Sequence, residues 1–279
     1  MSQRGKRGVG ATPPPNNCGG VRRGGLCAPM DRMNTAGKII LIAAFATAAT
    51  TVWALDGYYT EEEIRYPAFG ENAEYSIIRK TWYAADRMRK EEGWQGTTIA
   101  RFDQDKFYVL EPGSRTYFTV SSEFIKEYAP QGLKAFGALE DGKGNLYFPP
   151  DLYVRTEAKK TIGRWECYQV MTNPKYRNPK LPYCVIWYSS EVDFPMDLFG
   201  EQLKNLMGDT PEIRDLFNLL KQFEGYPIRQ EAHGVSELVI TTLFKFERKD
   251  AIDSALFEVP KDFSETDMPE EMPEPRWAP

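Results

Sequence analysis

Residues 106–120, KFYVLEPGSRTYFTV, indicate the fold class of this chain more clearly than any other stretch. Two short runs rich in aromatic and β-branched residues, 106–110 and 115–120, flank the turn-forming residues EPGS at 111–114. The pattern predicts an antiparallel hairpin. The first run is apolar on both of its faces, so we expect it to lie inside a sheet rather than at an edge.

Strand signals of the same kind recur on both sides of this hairpin and predict a larger antiparallel sheet. They are separated by loops rich in Gly, Pro, Asn and Asp, and no internal repeat is present. The predicted strands are 75–83, 97–102, 106–110, 115–120, 151–156, 164–172, 183–189, 226–231 and 237–247.

Three helices are predicted between these strands. The first begins at Ser121, and the other two carry apolar stripes with helical spacing. The last helix has the clearest signals, with Thr210 as cap, Pro211 in its first turn and Gly225 as its stop. The stripes consist of Leu198, Phe199, Leu203, Leu206 and Met207, and of Ile213, Leu216, Phe217, Leu220 and Phe223.

Residues 33–54 have the features of a secretory signal. Positive charge precedes an apolar run at 39–49, and VWA at 52–54 fits a small-x-small cleavage site. The run is shorter than the about 20 apolar residues that a membrane span needs. We predict cleavage after Ala54, a mature protein that begins at Leu55, and a periplasmic location.

The stretch before the signal, residues 1–32, is rich in Gly, Pro and Arg and cannot form a core. It is either a disordered extension or the result of a misassigned start, in which case translation begins at Met30 or Met33 instead of Met1. Arg22-Arg23 would permit a twin-arginine leader, although the pair lies well before the apolar run.

The mature chain of 225 residues is acidic, with 28 Lys and Arg against 39 Asp and Glu and a formal charge of −11. This balance argues against nucleic acid as a partner and against passive adhesion to anionic lipid head groups. Residues 55–73 are polar and predict an N-terminal arm. Residues 74–263 form the predicted domain, and the Pro- and Glu-rich residues 264–279 predict a disordered tail.

Two cysteines remain after cleavage, Cys167 and Cys184, and an even number in an exported chain favours a disulfide. If 164–172 and 183–189 form a hairpin centred near residues 175 and 176, the two cysteines lie opposite one another. We therefore predict a disulfide between them, with two buried free thiols as the alternative. The Cys-x-x-Cys spacing of redox-active pairs is missing.

The sequence predicts no catalytic, metal or cofactor site. His233 is the only histidine and precedes Gly234 at a predicted hairpin tip, so a histidine-rich metal site is excluded. Ser236 lacks the second glycine of a nucleophile elbow. No glycine-rich phosphate motif follows a predicted strand.

Several strings, taken in order between residues 74 and 263, resemble an uncharacterised exported family related to the LolA/LolB-like outer-membrane lipoprotein carriers. They are the basic segment 86–89, the hairpin 107–117, the string IGRWEC at 162–167, the Trp-bearing strand around 186–188, the turn GYPI at 225–228 and the closing string LFEVPKDF at 256–263. The resemblance implies an α+β fold, in which helices cover the concave face of a curved antiparallel sheet that forms an incomplete barrel. In the carriers that concavity holds acyl chains.

Aromatic residues on the predicted strands are the candidates for lining such a concavity, with ordinary core packing as the alternative. The candidate lining residues are Trp82, Phe107, Tyr117, Trp187 and Phe244. The candidate lid residues are Phe199, Leu203, Phe217 and Leu220.

We therefore expect a non-enzymatic periplasmic protein that binds a lipid, an acyl chain or a lipidated partner, and that is not an integral membrane protein. The alternative is a structural or interaction module that supports an envelope complex and holds no ligand. An enzyme is the third hypothesis.

Overall fold

Strands dominate the computed structural model, which describes residues 57–68, 73–93, 96–177, 183–234 and 238–269. The predictions for residues 1–32 and for the signal peptide at 33–54, including cleavage between Ala54 and Leu55, lie outside these ranges. The strands are β1 (Gly57–Tyr66), β2 (Tyr75–Ala84), β3 (Arg87–Glu91), β4 (Thr97–Arg101), β5 (Lys106–Glu111), β6 (Thr116–Ser121), β7 (Leu139–Glu140), β8 (Leu146–Tyr147), β9 (Tyr153–Ile162), β10 (Trp165–Thr172), β11 (Tyr183–Ser189), β12 (Tyr226–His233), β13 (Leu238–Lys249) and β14 (Ser264–Glu265).

Twelve of the strands in the described part of the chain form one sheet, in the order β14-β6-β5-β4-β3-β2-β1-β13-β12-β11-β10-β9. Neighbours are antiparallel except for β14, which runs parallel to β6. Two meanders, β1–β6 and β9–β13, meet where β1 pairs with β13. The end strands β9 and β14 are not paired with each other, so the curved sheet stays open. The predicted α+β half-barrel is confirmed.

The helices are α1 (Ser122–Ala135), α2 (Met196–Met207) and α3 (Pro211–Leu220). The Ser121 side chain accepts a hydrogen bond from the Phe124 backbone N–H at 3.2 Å and starts α1. Thr210 caps α3 in the same way, with Pro211 as its first residue, as predicted. The helix ends at Leu220, five residues before Gly225, which instead adopts a positive φ of 90° where the chain enters β12.

All three helices pack on one face of the sheet, which we call the inner face. There Leu203 of α2 and Leu216 of α3 are completely buried, and Ile125 of α1 is nearly so. The strand residues of this core are Tyr83, Met88, Ala100, Phe107, Val109, Phe118, Val120, Tyr153, Tyr168, Val170, Cys184, Ile186 and Tyr188. The predicted two-sided burial of the 106–110 strand is confirmed, since Phe107 faces this core while Leu110 is buried on the other face.

Part of the opposite, or outer, face is covered by the chain itself. Residues 252–263, which we call the outer cover, place Ile252 and Phe257 over Ile99 and Leu110. The chain then continues into β14, where the Ser264 and Thr266 backbone N–H groups donate to the Arg115 and Tyr117 carbonyls. The predicted disordered tail therefore does not begin at residue 264, because residues 264–266 are hydrogen-bonded to the sheet edge.

The prediction of an N-terminal arm at 55–73 is also wrong, because residues 57–66 form β1 in the middle of the sheet. Three consecutive glutamates, Glu61-Glu62-Glu63, make this stretch polar in sequence. In the structure Glu62 is buried on the inner face, directly opposite Arg79 of β2. Its charge is paired across the strands, a contact that local polarity does not reveal.

The predicted disulfide between Cys167 and Cys184 is wrong as well, since both thiols are free and buried. The hairpin of β10 and β11 pairs Tyr168 with Tyr188 and Met171 with Val185, so its centre lies beyond residue 176. Cys184 therefore lies beside Thr172, whose hydroxyl oxygen accepts from the Cys184 backbone N–H at 2.8 Å. The shifted register separates the cysteines, since a one-residue slip already turns a side chain to the other face.

Candidate functional site

The structure distributes the five candidate lining residues over several environments. Phe107 lies in the inner core beneath the helices. Trp82 and Tyr117 pack on the outer face against the outer cover. Trp187 belongs to a second cluster, which also contains Trp165, Phe194 and Tyr226, and Phe244 is 48% exposed. Only Phe107 of this set therefore faces the helices within the inner core.

The candidate lid residues fall in α2 and α3, as expected. Leu203 and Leu220 are buried in the inner core, and Phe217 packs partly buried against it. A Cβ at Gly200 of α2 would meet the Phe217 ring at 2.7 Å, so the two helices are in close contact. The side chain of Phe199 lies outside what the structure describes. We call residues 190–225, the segment that contains both helices, the lid.

The lid leaves the sheet and returns to it at a single place. Its flanking residues, Ser189 of β11 and Tyr226 of β12, are paired in adjacent strands. At Gly225 the returning chain passes so close to the departing one that a Cβ would lie 2.0 Å from the Ser189 carbonyl oxygen. The lid is therefore an excursion from one hairpin, and none of its residues belongs to a strand.

The helices of the lid hold the inner face through apolar contacts. Within the described residues, the hydrogen bonds and ion pairs of 196–220 join lid residues to one another, as in the pair of Asp197 with Lys221. Gln202 of α2 is 2% exposed, yet neither atom of its amide has a hydrogen-bond partner among those residues. Polar ties to the rest of the chain occur at the ends of the lid, where the Tyr168 hydroxyl donates to the Glu224 carbonyl at 2.6 Å.

Just before α2, the ring of Phe194 sits among four aromatic rings that we call the aromatic box. Four neighbouring strands supply one ring each: Tyr83 from β2, Tyr58 from β1, Phe246 from β13 and Tyr226 from β12. Their centroids lie 4.9 to 6.2 Å from that of Phe194. Phe194 is 6% exposed and therefore fills the box as a plug.

Beyond the box, the same inner face carries a buried ionic cluster, which we call the floor and which consists of Glu62, Arg79, Lys90 and Glu92. Along β1 and β2 the paired residues run from Tyr58 and Tyr83 through Thr60 and Thr81 to Glu62 and Arg79. The four charged side chains are only 3 to 12% exposed. Charges this deeply buried need partners, because removal from water costs several kcal/mol for each ion.

The two carboxylates of the floor are held unequally. The Glu92 carboxylate accepts from Nε and Nη2 of Arg79 at 2.9 Å and pairs with the Lys90 ammonium at 2.6 Å. Glu62 has one contact in the floor, to Nη1 of Arg79 at 3.4 Å. Burial opposes ionisation of Glu92, but Lys90 and Arg79 outweigh it and lower its pKa to about 2. For Glu62 burial dominates, so its pKa is raised in spite of Arg79.

Four hydroxyl groups lie between the box and the floor. Thr60 and Thr81 are 0 and 1% exposed, and their hydroxyls lack a well-formed hydrogen bond within the described part of the chain. Burial and then the charge of Glu62 raise the pKa of Tyr83 to about 12, with the two threonines opposing the rise. Burial, followed by Tyr83 and Glu62, raises the pKa of Tyr226 as well. All four hydroxyls are therefore neutral donors at physiological pH.

The remaining reactive groups do not join this arrangement. Burial raises the pKa of Cys167 and of Cys184 to about 11, so both thiols are protonated and weakly nucleophilic. His233 stacks on the Tyr183 ring at the end of β12. Nowhere in the described ranges do three or more His, Cys, Asp or Glu side chains gather in a way that could hold a metal ion. None of the described helices has the length and apolarity of a bilayer-spanning segment.

Sequence reasoning missed the floor and the aromatic box. The alternation of Arg79, Thr81 and Tyr83 along β2 was a usable signal, because residues at every second position of a strand share one face. The same spacing relates Glu62 and Thr60 of β1. Both segments lack the apolar periodicity of a core strand, and only their pairing reveals a polar stripe inside the sheet.

Among known proteins, this chain is similar to several solved structures, and the similarity is one of fold. The chain matches no family model and no curated protein sequence. A LolA superfamily protein from Nitrosomonas europaea is similar over 80% of this chain and 97% of its own, with 10% identity and a TM-score of 0.30. A proposed outer-membrane lipoprotein-sorting protein domain from Vibrio parahaemolyticus is similar over 79% and 95%, with 7% identity and a TM-score of 0.31.

An uncharacterised conserved protein from Thermus thermophilus is similar over 84% of this chain and 98% of its own, with 6% identity and a TM-score of 0.40. The resemblance found in the sequence is confirmed to the extent that LolA superfamily proteins are among the similar solved structures. At these identities and TM-scores, the likeness carries no information about a ligand or an activity.

Proposed function

We propose that this protein is a non-enzymatic periplasmic carrier or receptor that binds the acyl chain of a lipid or of a lipidated partner between the lid and the inner face. The observation that carries the proposal is the attachment of the lid. Its helices contact the sheet through apolar side chains, and the segment joins the sheet only between the paired residues Ser189 and Tyr226. An acyl chain can replace such contacts, because apolar burial is non-directional.

The buried amide of Gln202 supports displacement of the lid. A polar group buried without a partner costs about 1–3 kcal/mol, and this cost is recovered when the amide reaches water. The closed arrangement is therefore weakened at the helix that covers the inner core. In contrast, α1 is fixed by polar contacts, for example by the Ser122 hydroxyl, which donates to Asp105 at 2.9 Å.

The alternative function is a structural module that holds no ligand. The observation that favours it is the filling of the inner face by the protein's own side chains, with Leu203 and Leu216 completely buried. The two functions differ in one respect. In a carrier, a ligand must replace the lid side chains on the inner face, whereas in a structural module these side chains stay in place.

The test compares Phe194→Ala with the control Phe257→Ala. Both side chains are buried, the first in the lid and the second in the outer cover. Binding of a dansyl-labelled fatty acid to delipidated protein is measured by fluorescence, and stability by urea unfolding. For a carrier, Phe194→Ala raises the open population and tightens binding about tenfold, because apparent affinity scales with the competent fraction.

Phe257→Ala is expected to lower stability without changing the affinity for the fatty acid. If the wild type and Phe194→Ala both fail to bind the probe while remaining folded, the carrier function is excluded and the structural module stands. Export is tested separately by N-terminal sequencing of protein recovered from the periplasm of a Gram-negative host. Leu55 is expected as the first residue, and an intact Met33 in a soluble cytoplasmic pool would contradict the proposed location.

A further inference from the structure

The polar layers behind the aromatic box have no role in holding an acyl chain. Thr60, Thr81, Tyr83 and Tyr226 place hydroxyls between the box and the floor, and the floor itself is ionic. A sheet that only bound hydrocarbon would bury apolar side chains at these positions, since each buried polar group needs a partner. The apolar inner face and aromatic box are followed by hydroxyls and then by charges. This order matches an amphiphile, in which an apolar chain is followed by a polar head.

Access to these layers is controlled by the lid. Phe194 belongs to the lid, and its ring lies 6.1 Å from Tyr83 and 4.9 Å from Tyr226. Withdrawal of the lid would take Phe194 out of the aromatic box and uncover the hydroxyls of the two tyrosines. The space vacated by one side chain is then continuous with the inner face vacated by α2 and α3.

The charges indicate which head group fits. Arg79 and Lys90 supply two fixed positive charges, whereas Glu92 is fully engaged by both of them. Glu62 makes one long contact, at 3.4 Å, and can therefore release Arg79 to a competing anion. Four neutral hydroxyls add further donors, while a cationic head would meet two cations already in place.

We propose that the hydroxyl layer and the floor bind the singly charged anionic head of an amphiphile, with Arg79 as its principal cation and Glu62 taking up a proton as the head arrives. This inference rests on the proposed function, because the acyl chain of the same ligand replaces the lid. The proton comes from solvent and stays on the Glu62 carboxyl, so the site gains no net charge when the anion enters.

The charged and titratable groups around Glu62 agree with this assignment. Arg79 lies opposite it on β2, Lys90 and Glu92 follow on β3 and at its end, and Tyr83 and Tyr226 approach from the side of the box. Of these groups, Glu92 is held ionised by its two cations and the tyrosines stay neutral. Glu62, whose pKa is raised by burial, is therefore the acceptor available for a proton.

The test uses three C12 probes with one chain and different heads: dodecanoate, dodecanol and dodecyltrimethylammonium. Isothermal titration of the delipidated wild-type protein is expected to give at least about tenfold tighter binding of dodecanoate than of the other two, the effect of a charge-assisted contact. Titration in buffers with different ionisation enthalpies is expected to show uptake of about one proton per dodecanoate.

Glu62→Gln is expected to bind dodecanoate more tightly at neutral pH and to abolish the proton uptake, since Arg79 is then free of a competing carboxylate. Glu63→Gln is the matched control, because Glu63 is the next residue of β1 and points to the outer face. It is expected to leave both quantities unchanged.

Equal affinity for the three probes, or a preference for the cationic one, would overturn the anionic head site and leave the carrier function intact. If acetate or inorganic phosphate binds as tightly as dodecanoate, the ligand need not be an amphiphile, and the site is one for free anions. Absence of binding by all three probes would instead contradict the proposed function itself.

Discussion

Segments of the chain cover parts of both faces of the sheet, but they do so in different ways. The outer cover is fixed by directional contacts along its length, since Arg89 donates to the Leu256 carbonyl at 3.0 Å and Arg101 pairs with Glu258. It then continues into β14, which is hydrogen-bonded to β6. The lid on the inner face has apolar contacts along its helices and polar ties near its ends.

Under the proposed function, this difference separates a permanent core from a displaceable one. Both covers bury apolar side chains to a similar degree, with Phe257 1% exposed on one face and Leu203 0% on the other. Burial alone therefore does not tell the two covers apart. Their polar contacts do, because hydrogen bonds and ion pairs have to be broken individually, whereas an apolar contact can be exchanged for another one.

The largest effect is expected from Phe257→Ala in the outer cover. Removal of a buried phenyl ring leaves a cavity and typically lowers the free energy of unfolding by roughly 3–5 kcal/mol. Urea unfolding followed by circular dichroism measures the change. A loss below about 1 kcal/mol would show that the outer cover detaches as readily as we propose for the lid, and the contrast between the faces would disappear.

A somewhat smaller loss is expected from Glu92→Gln in the floor. The depressed pKa of Glu92, about 2, corresponds to about 3 kcal/mol of stability at neutral pH. This contribution is present above the unfolded-state pKa of about 4.3 and is lost as the pH falls towards 2. Chemical unfolding of wild type and variant should therefore differ at pH 7 and converge near pH 2, while Glu63→Gln follows the wild type at both.

A further effect concerns local opening of the lid. Amide hydrogen exchange in α2 and α3 is expected to be at least about tenfold faster than in β4 and β5, because under the proposed function the lid opens without unfolding of the sheet. Mass spectrometry of peptides from 196–220 and 97–111 gives the comparison in one experiment. Identical protection in both sets would mean that lid and sheet unfold together.

The smallest effect is expected at the two cysteines, which lie in different parts of the sheet but are both free thiols. Denatured protein that has never been reduced should incorporate alkylating reagent at both Cys167 and Cys184, because both are free. The native protein should react slowly, since each thiol is buried and has a pKa of about 11. If the denatured protein instead stays unlabelled, the two cysteines form a disulfide after all.

The elements that the sequence predicts well are those with local signals. Strand β5 and its turn to β6 follow from a short apolar run and a Pro-Gly turn, and α3 follows from Thr210 and Pro211. In each case the deciding residues lie within one turn or one strand of the element itself. The half-barrel was implied by the resemblance of the ordered strings to the LolA/LolB-like carriers.

The parts that could not be predicted depend on contacts between distant residues. Strand β1 was mistaken for an arm because Glu62 is balanced by Arg79, which lies in another strand. The prediction of a disulfide was wrong because the turn between β10 and β11 sets the register of the two strands. The length of that turn does not follow from its composition. The candidate lining residues lay on the expected strands, but their faces depend on pairing partners and bulges, such as the one beside Trp187.

An open sheet of this size also has two free edges, and an unpaired edge can recruit another chain and aggregate. At one end, β14 covers β6 with the chain that has just crossed the outer face. At the other end, β9 is mostly exposed along its ten residues, with Arg155, Glu157, Lys159 and Lys160 on it. Three of these four side chains are cationic, and charged side chains on an edge strand oppose the docking of a second copy. The unclosed sheet is thus protected against edge-to-edge association by the short strand β14 at one margin and by exposed charged side chains at the other.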